Sequence, residues 1–225
     1  MATRSDLLYF WRRLSDDRFI HPDDEDALHR GDHNLKTDHV PGPWWGSLKT
    51  ARAFLLFLNP GYNPDTDLES ANDHVMASLR RRRLDGENVE REVIAHHRLR
   101  GSKFEAWFDQ KLRGVCAADA ITNDVCVLNL VAYKSSVFRD QRLIERLPSS
   151  RFIRQVVQEE IAPRARAGEM FLGVVRQARG WGFSVTEQSD TLRVLDPKSE
   201  ARGGFLTENT VHGLLLRRFL AALHK

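Results

Sequence analysis

The sequence predicts an α/β fold built on a parallel sheet with helices on both faces. Three observations carry this. Short apolar runs at 54–58 (FLLFL), 125–131 (VCVLNLV) and 170–175 (MFLGVV) have the length of buried strands and are too short for typical helices. Longer stretches with apolar residues at three-to-four spacing separate them. Every run stops at a polar or glycine-containing loop, and alternation of this kind marks a parallel sheet.

In chain order, 5–19 places Leu7, Leu8, Trp11 and Leu14 on one helical stripe, with Ser5 or Asp6 as cap. Residues 20–50 turn polar and irregular. His21, Asp23, Asp24, Asp26, His29, Asp32, His33, Asp38 and His39 crowd there in no recognised metal frame, so the stretch reads as a solvated loop or cap segment and no metal is expected. Trp44 and Trp45, bracketed by glycine and proline, either cover the sheet edge or offer an aromatic platform to a base.

The run 54–58 then breaks into Asn59-Pro60-Gly61, either an ordinary turn or a site. Proline ends the ladder, and glycine tolerates unusual backbone angles and close ligand approach. Open α/β sheets place their chemistry at such strand ends.

A helix over 68–84 carries Arg80 to Arg83, which span more than one turn and cannot share a face. They are phosphate contacts or a solvated helix end. Residues 87–113 continue helical, with Phe104, Trp107, Phe108 and Leu112 on a stripe and His96 and His97 at the surface. The strand at 125–131 is interrupted by Asn129, whose amide needs a partner: a structural one in a neighbouring loop, or a base to read. A helix or helix pair fills 139–162 and stops near Pro163. Short extended pieces at 183–185 and 191–195 follow, and an amphipathic helix from about Asn209 to Leu223, capped by Thr207, closes the chain.

At 225 residues, 41% hydrophobic and 29% charged, the chain fills one sizeable domain, with 1–50 as an N-terminal helix and loop extension. No apolar stretch approaches the ~20 residues that cross a bilayer, and the start lacks a signal peptide's apolar core, so no membrane partner and a cytoplasmic location are expected. Cys116 and Cys126 read as core thiols. A net charge of +3 permits nucleic-acid binding without requiring it. GxGxxG, GxxxxGK[ST] and GxSxG are absent, which removes support for the common nucleotide-phosphate loops and the hydrolase elbow.

Four strand-end segments, in order, resemble the uracil-DNA glycosylase superfamily. Leu58-Asn59-Pro60-Gly61 is similar to the first motif of its Gly-x-Asn-Pro-Gly branches, and Val127-Leu128-Asn129-Leu130 to the strand with the base-reading Asn. The segment 171–176 resembles the third strand, and Leu195-Asp196-Pro197-Lys198-Ser199 stands where the last motif, commonly His-Pro-Ser, falls. The match covers roughly 53–205.

The resemblance implies a three-layer α/β/α sandwich with a central, mainly parallel four-stranded sheet. It implies DNA, single-stranded or lesion-bearing, as partner, and hydrolysis of the N-glycosidic bond of a flipped uracil or related base without metal or organic cofactor. Asn59 would position water and Asn129 would read the base edge. Its amide suits uracil one way round and cytosine the other, so a neighbour must fix it. Gly61 would leave room for a 5-substituted base, Tyr62 would stack on it, and Lys134, Arg176 and Lys198 would meet phosphates or the leaving base.

Two positions depart from the family. Phe57 replaces its usual glycine. Asp196 replaces the His that donates to the leaving base, and a carboxylate ~4 Å from that anion costs about 4 kcal/mol, roughly three decades in rate. Asp196 therefore favours the alternative, a non-catalytic nucleic-acid-binding or interaction protein on the same fold, whereas Asn59 and Asn129 favour the enzyme.

Overall fold

The computed structural model describes residues 1–30, 33–62, 73–99, 104–117, 123–195 and 206–225. Strands β1 (Trp44–Trp45), β2 (Ala53–Phe57), β3 (Val125–Asn129), β4 (Phe171–Val174) and β5 (Leu192–Val194) form a five-stranded mixed sheet in the order β1-β3-β2-β4-β5. β2 runs parallel to both β3 and β4, and β4 parallel to β5. The tryptophan pair closes one edge as an antiparallel partner of β3, with Trp44 buried, so it covers the sheet as one of its two sequence readings has it.

Strand alternation builds two cores. Phe54, Leu56, Cys126, Leu128, Leu172 and Val174 face one side. They pack with Leu7, Leu8 and Trp11 of α1 (Arg4–Trp11) and Ile153 and Val156 of the helix that follows β3. Ala53, Leu55, Val125, Val127 and Phe171 face the other side, against Phe108, Leu112, Leu216 and Leu220. Burial on both faces explains why these strands read as unbroken apolar runs rather than alternating ones.

After a short α2 (Glu25–His29), the connection from β2 to β3 contains α3 (His74–Leu84), α4 (Glu90–Leu99) and α5 (Phe104–Leu112). That from β3 to β4 contains α6 (Leu143–Arg146), α7 (Pro148–Val156) and α8 (Ala162–Arg166). A one-turn α9 (Ala178–Trp181) follows β4, and α10 (Val211–Leu223) ends the chain. The chain leaves β2 toward β3 on one side and leaves β4 toward β5 on the other. The β2–β4 boundary is therefore the switch point, the place at which open α/β sheets put their ligand sites.

Several local expectations need correction. The cap of α1 is Thr3, in a reciprocal capping box with Asp6, rather than Ser5 or Asp6. The last helix is capped by Thr210, whose hydroxyl accepts from the Gly213 N–H, rather than by Thr207. The helix of 139–162 passes Pro163 and ends at Arg166. A π turn at Val157–Ile161 opens the carbonyl ladder just where a proline ring would clash, and the Ala162 N–H reaches back to the Val157 carbonyl. Residues 183–185 are not part of the sheet, and a turn closes from Ser184 to Glu187.

Residues 1–50 are built into the domain rather than appended to it. Arg4 pairs with Glu160 at 2.8 Å, both largely buried. His21 and Asp24, read as solvated, are completely buried. The Tyr133 hydroxyl donates to Asp24 Oδ2 at 2.7 Å, the Ser149 N–H donates to Asp24 Oδ1 at 3.0 Å, and the His21 N–H donates to the Tyr133 oxygen at 3.2 Å. Burial pushes the Asp24 carboxyl up, against the hydrogen bonds from Ser149 and Tyr133 that pull it down.

Tyr133→Phe strips one donor from this buried carboxylate and leaves the ring in place. We expect urea denaturation to show a loss of about 1–3 kcal/mol. A change below about 0.5 kcal/mol contradicts the role given to this network.

Candidate functional site at the carboxyl edge of the sheet

Beyond their last paired residues, Phe57 and Asn129, β2 and β3 stay side by side. The Leu130 N–H donates to the Phe57 carbonyl at 3.0 Å and the Val131 N–H to that of Leu58 at 2.8 Å. Farther out, the Ser135 N–H donates to Pro60 O at 3.2 Å and the Tyr62 N–H to Ser135 O at 3.1 Å. Pro60 ends the donor side of the ladder but keeps its acceptor, so the loop after β2 is tied to the loop after β3 instead of swinging free.

Asn59 is half-buried in this seam. Its Nδ2 donates to Ser135 Oγ at 2.8 Å and to Pro60 O at 3.0 Å, with Tyr133 O at 3.4 Å. Carbonyls only accept, so the NH2 must lie on that side, and Oδ1 is presented as an acceptor with no partner among the described residues.

Asn129 is held the same way from the opposite side. Its Nδ2 donates to Gly42 O at 2.8 Å, and its backbone N–H donates to Pro43 O at 2.8 Å. The neighbour that fixes this amide is therefore Gly42, which no pattern in the sequence singles out.

Gly42 belongs to an arch, residues 36–42, laid across both strand-end loops. The Lys36 N–H donates to Lys134 O and the Gly42 N–H to Ala132 O, each at 2.8 Å. A Cβ at Gly42 would stand 3.3 Å from Pro60 Cγ, so the arch touches the loop after β2 as well.

Gly61 is exposed, its φ is not positive, and a Cβ there would meet nothing within 4 Å. The loop makes no use of glycine's tolerance of unusual backbone angles; what the glycine leaves is open space beside the loop. Tyr62 already carries a cation, with Lys36 Nζ 4.7 Å from its ring centroid, and His39 meets it edge-on at 5.7 Å. A base can stack only on surface those neighbours leave.

Lys134 is buried in the seam, and Arg176 is half-buried just past β4, where its N–H bonds to Leu56 O at 3.1 Å. Arg176 and Lys111 of α5 share this edge: burial, then the charge of Arg176, lowers the Lys111 pKa. Gln177 follows at φ 59°, a left-handed conformation that non-glycine residues rarely hold. Asp196 and Lys198 lie outside the described residues.

Three of the four consecutive arginines turn out to be internal fasteners. Arg81 binds the carbonyls of Ser15 and Arg18, and Arg82 binds Glu87 and Glu92. Arg83 makes a two-pronged pair with Glu90 at 2.6 and 2.9 Å, both buried. That weighs against the phosphate reading of the run.

The adjacent histidines are not surface residues either. His96 Nε2 lies 2.6 Å from Asp73 Oδ2. His97 is half-buried and its pKa falls to about 4, through burial first and then the charges of Arg80, His96, Arg83 and Lys134. Among the described residues no group of three or more His, Cys, Asp or Glu side chains is arranged to hold a metal ion.

No family model matches the chain, and no curated protein or solved structure matches it either.

The His97 shift has a definite sign. Between about pH 6.5 and 4 the unfolded chain takes up a proton that the folded chain refuses. Stability is untouched above that window and falls as pH falls through it. His21, also lowered by burial, adds in the same direction. His97→Gln should shrink the loss in urea midpoint between pH 7.5 and pH 5; an unchanged acid loss contradicts the assignment.

Proposed function

We propose that the chain is a glycosylase-like protein of the uracil-DNA glycosylase type, hydrolysing the bond between a uracil-like base and its sugar in DNA. The observation that carries this reading is the pair of orientation-locked amides, Asn59 and Asn129, at the carboxyl ends of adjacent parallel strands. The strand order β3-β2-β4-β5 within the sheet supports a sandwich of that type.

In this reading Oδ1 of Asn59 accepts from the attacking water. Its NH2 is spent on Ser135 and two carbonyls, so the acceptor needs no reorganisation as the reaction proceeds. A neutral amide orients that water and does not take its proton at pH 7. Asn129 Oδ1 accepts from uracil N3–H while its second N–H donates to O4; the Gly42 carbonyl removes the alternative amide rotamer that suits cytosine. The open space beside Gly61 leaves room for a base substituted at C5. Lys36, Lys111, Lys134 and Arg176 supply positive charge around the edge where a sugar–phosphate backbone would run.

A second reading, binding without chemistry, is favoured by Asp196 in place of a donor to the leaving base. The two readings separate in one assay. Labelled single- and double-stranded oligonucleotides carrying uracil or hypoxanthine are incubated with the protein and treated with alkali. The enzyme reading expects strand breaks at the lesion, lowered about 100-fold by Asn59→Ala. Salt-sensitive binding without breaks supports the second reading instead. Binding that is flat in salt, or absent at low salt, removes both.

A further inference from the structure

His39 is the buried group at this edge that neither amide explains. It stands within the arch between the two backbone tethers at Lys36 and Gly42. Its side chain is only 3% exposed, yet its Nδ1 lies 2.8 Å from Oδ1 of Asp38, whose side chain is 72% exposed. The other ring nitrogen, Nε2, is buried and has no hydrogen-bond partner among the described residues. The ring meets Tyr62 edge-on at 5.7 Å, and Tyr62 is bonded through its N–H to Ser135, the residue whose hydroxyl holds Asn59.

A buried polar atom left unpaired costs about 1–3 kcal/mol, so its persistence calls for a physical reason, and a catalytic role is one. The Asp38 carboxylate only accepts. Nδ1 therefore carries a proton, and in the neutral ring the lone pair is then on Nε2.

We propose that His39, oriented by Asp38, is the proton acceptor of the carboxyl-edge site. This inference rests on the glycosylase reading and supplies what that reading lacks, since neither amide takes up a proton. As the bond between C1′ and the base nitrogen breaks, its electron pair leaves with the base. The water oxygen bonds to C1′, and the water proton passes to Nε2. The resulting imidazolium is stabilised by Asp38 and later returns its proton to the departed base anion or to solvent. Nothing is oxidised or reduced, and no further reactant is needed. The arch then does two jobs, fixing the base-reading amide through Gly42 and bringing the imidazole to the same edge.

The test uses full-length protein and single-turnover cleavage of a uracil-containing single-stranded oligonucleotide. His39→Gln should slow cleavage by about 100-fold or more while thermal melting stays within a few degrees of wild type. Asp38→Ala, at an exposed side chain that poses little risk to folding, should slow it by at least about tenfold. In 15N-histidine spectra the resonance lost in His39→Gln should show Nδ1 protonated and Nε2 unprotonated, and should shift when the oligonucleotide is added. Wild-type cleavage with undiminished rates in both variants overturns the role of His39 and leaves the glycosylase reading standing. So does an Nε2-protonated tautomer. A wild-type protein that cuts no lesion removes the glycosylase reading, and the proton-acceptor role with it.

Discussion

The hydrogen bond from Asn129 to the Gly42 carbonyl is the constraint on which the rest of this edge depends. A side-chain amide at the end of a buried strand needs a partner, because an unpaired one costs as much as a core mutation. Gly42 meets that need, and the Asn129 N–H adds a second tether at Pro43. Together they pull the arch across the mouth of the sheet. With the arch in place, Gly42 touches Pro60, Lys36 lies over Tyr62, and His39 is buried beside it. One amide thus satisfies its own burial and organises the surroundings of the other.

The positive charge of the arginine run is mostly held, not displayed. Arg81, Arg82 and Arg83 fasten α3 to the N-terminal segment and to α4. Burial, with neighbouring positive charge second, depresses His97 and Lys111.

How much of this was legible beforehand differs by element. The three longest strands were plain because burial on both faces turns them into continuous apolar runs. Asn59 and Asn129 stood out because the first ends such a run and the second interrupts one. Gln177 and the arch could not be read, since a left-handed residue and a long-range carbonyl contact leave no periodic trace. His21 and Asp24 read as solvated because local polarity dominates any sequence window, whereas their burial is set by Tyr133 and Ser149, more than a hundred residues away. The same limit hid His39, which looked like one more member of a histidine and aspartate cluster. Pro163 misled for a different reason: a π turn lets a helix continue through a proline.

The central claim is that a locked Asn129 amide reads one pyrimidine edge and refuses the other. The direct measurement is equilibrium binding by the Asn59→Ala protein of two single-stranded oligonucleotides that differ only in carrying one uracil or one cytosine. The account predicts tighter binding of the uracil strand by about tenfold or more, equivalent to about 1.4 kcal/mol. Equal affinities, or a preference for cytosine, would contradict it.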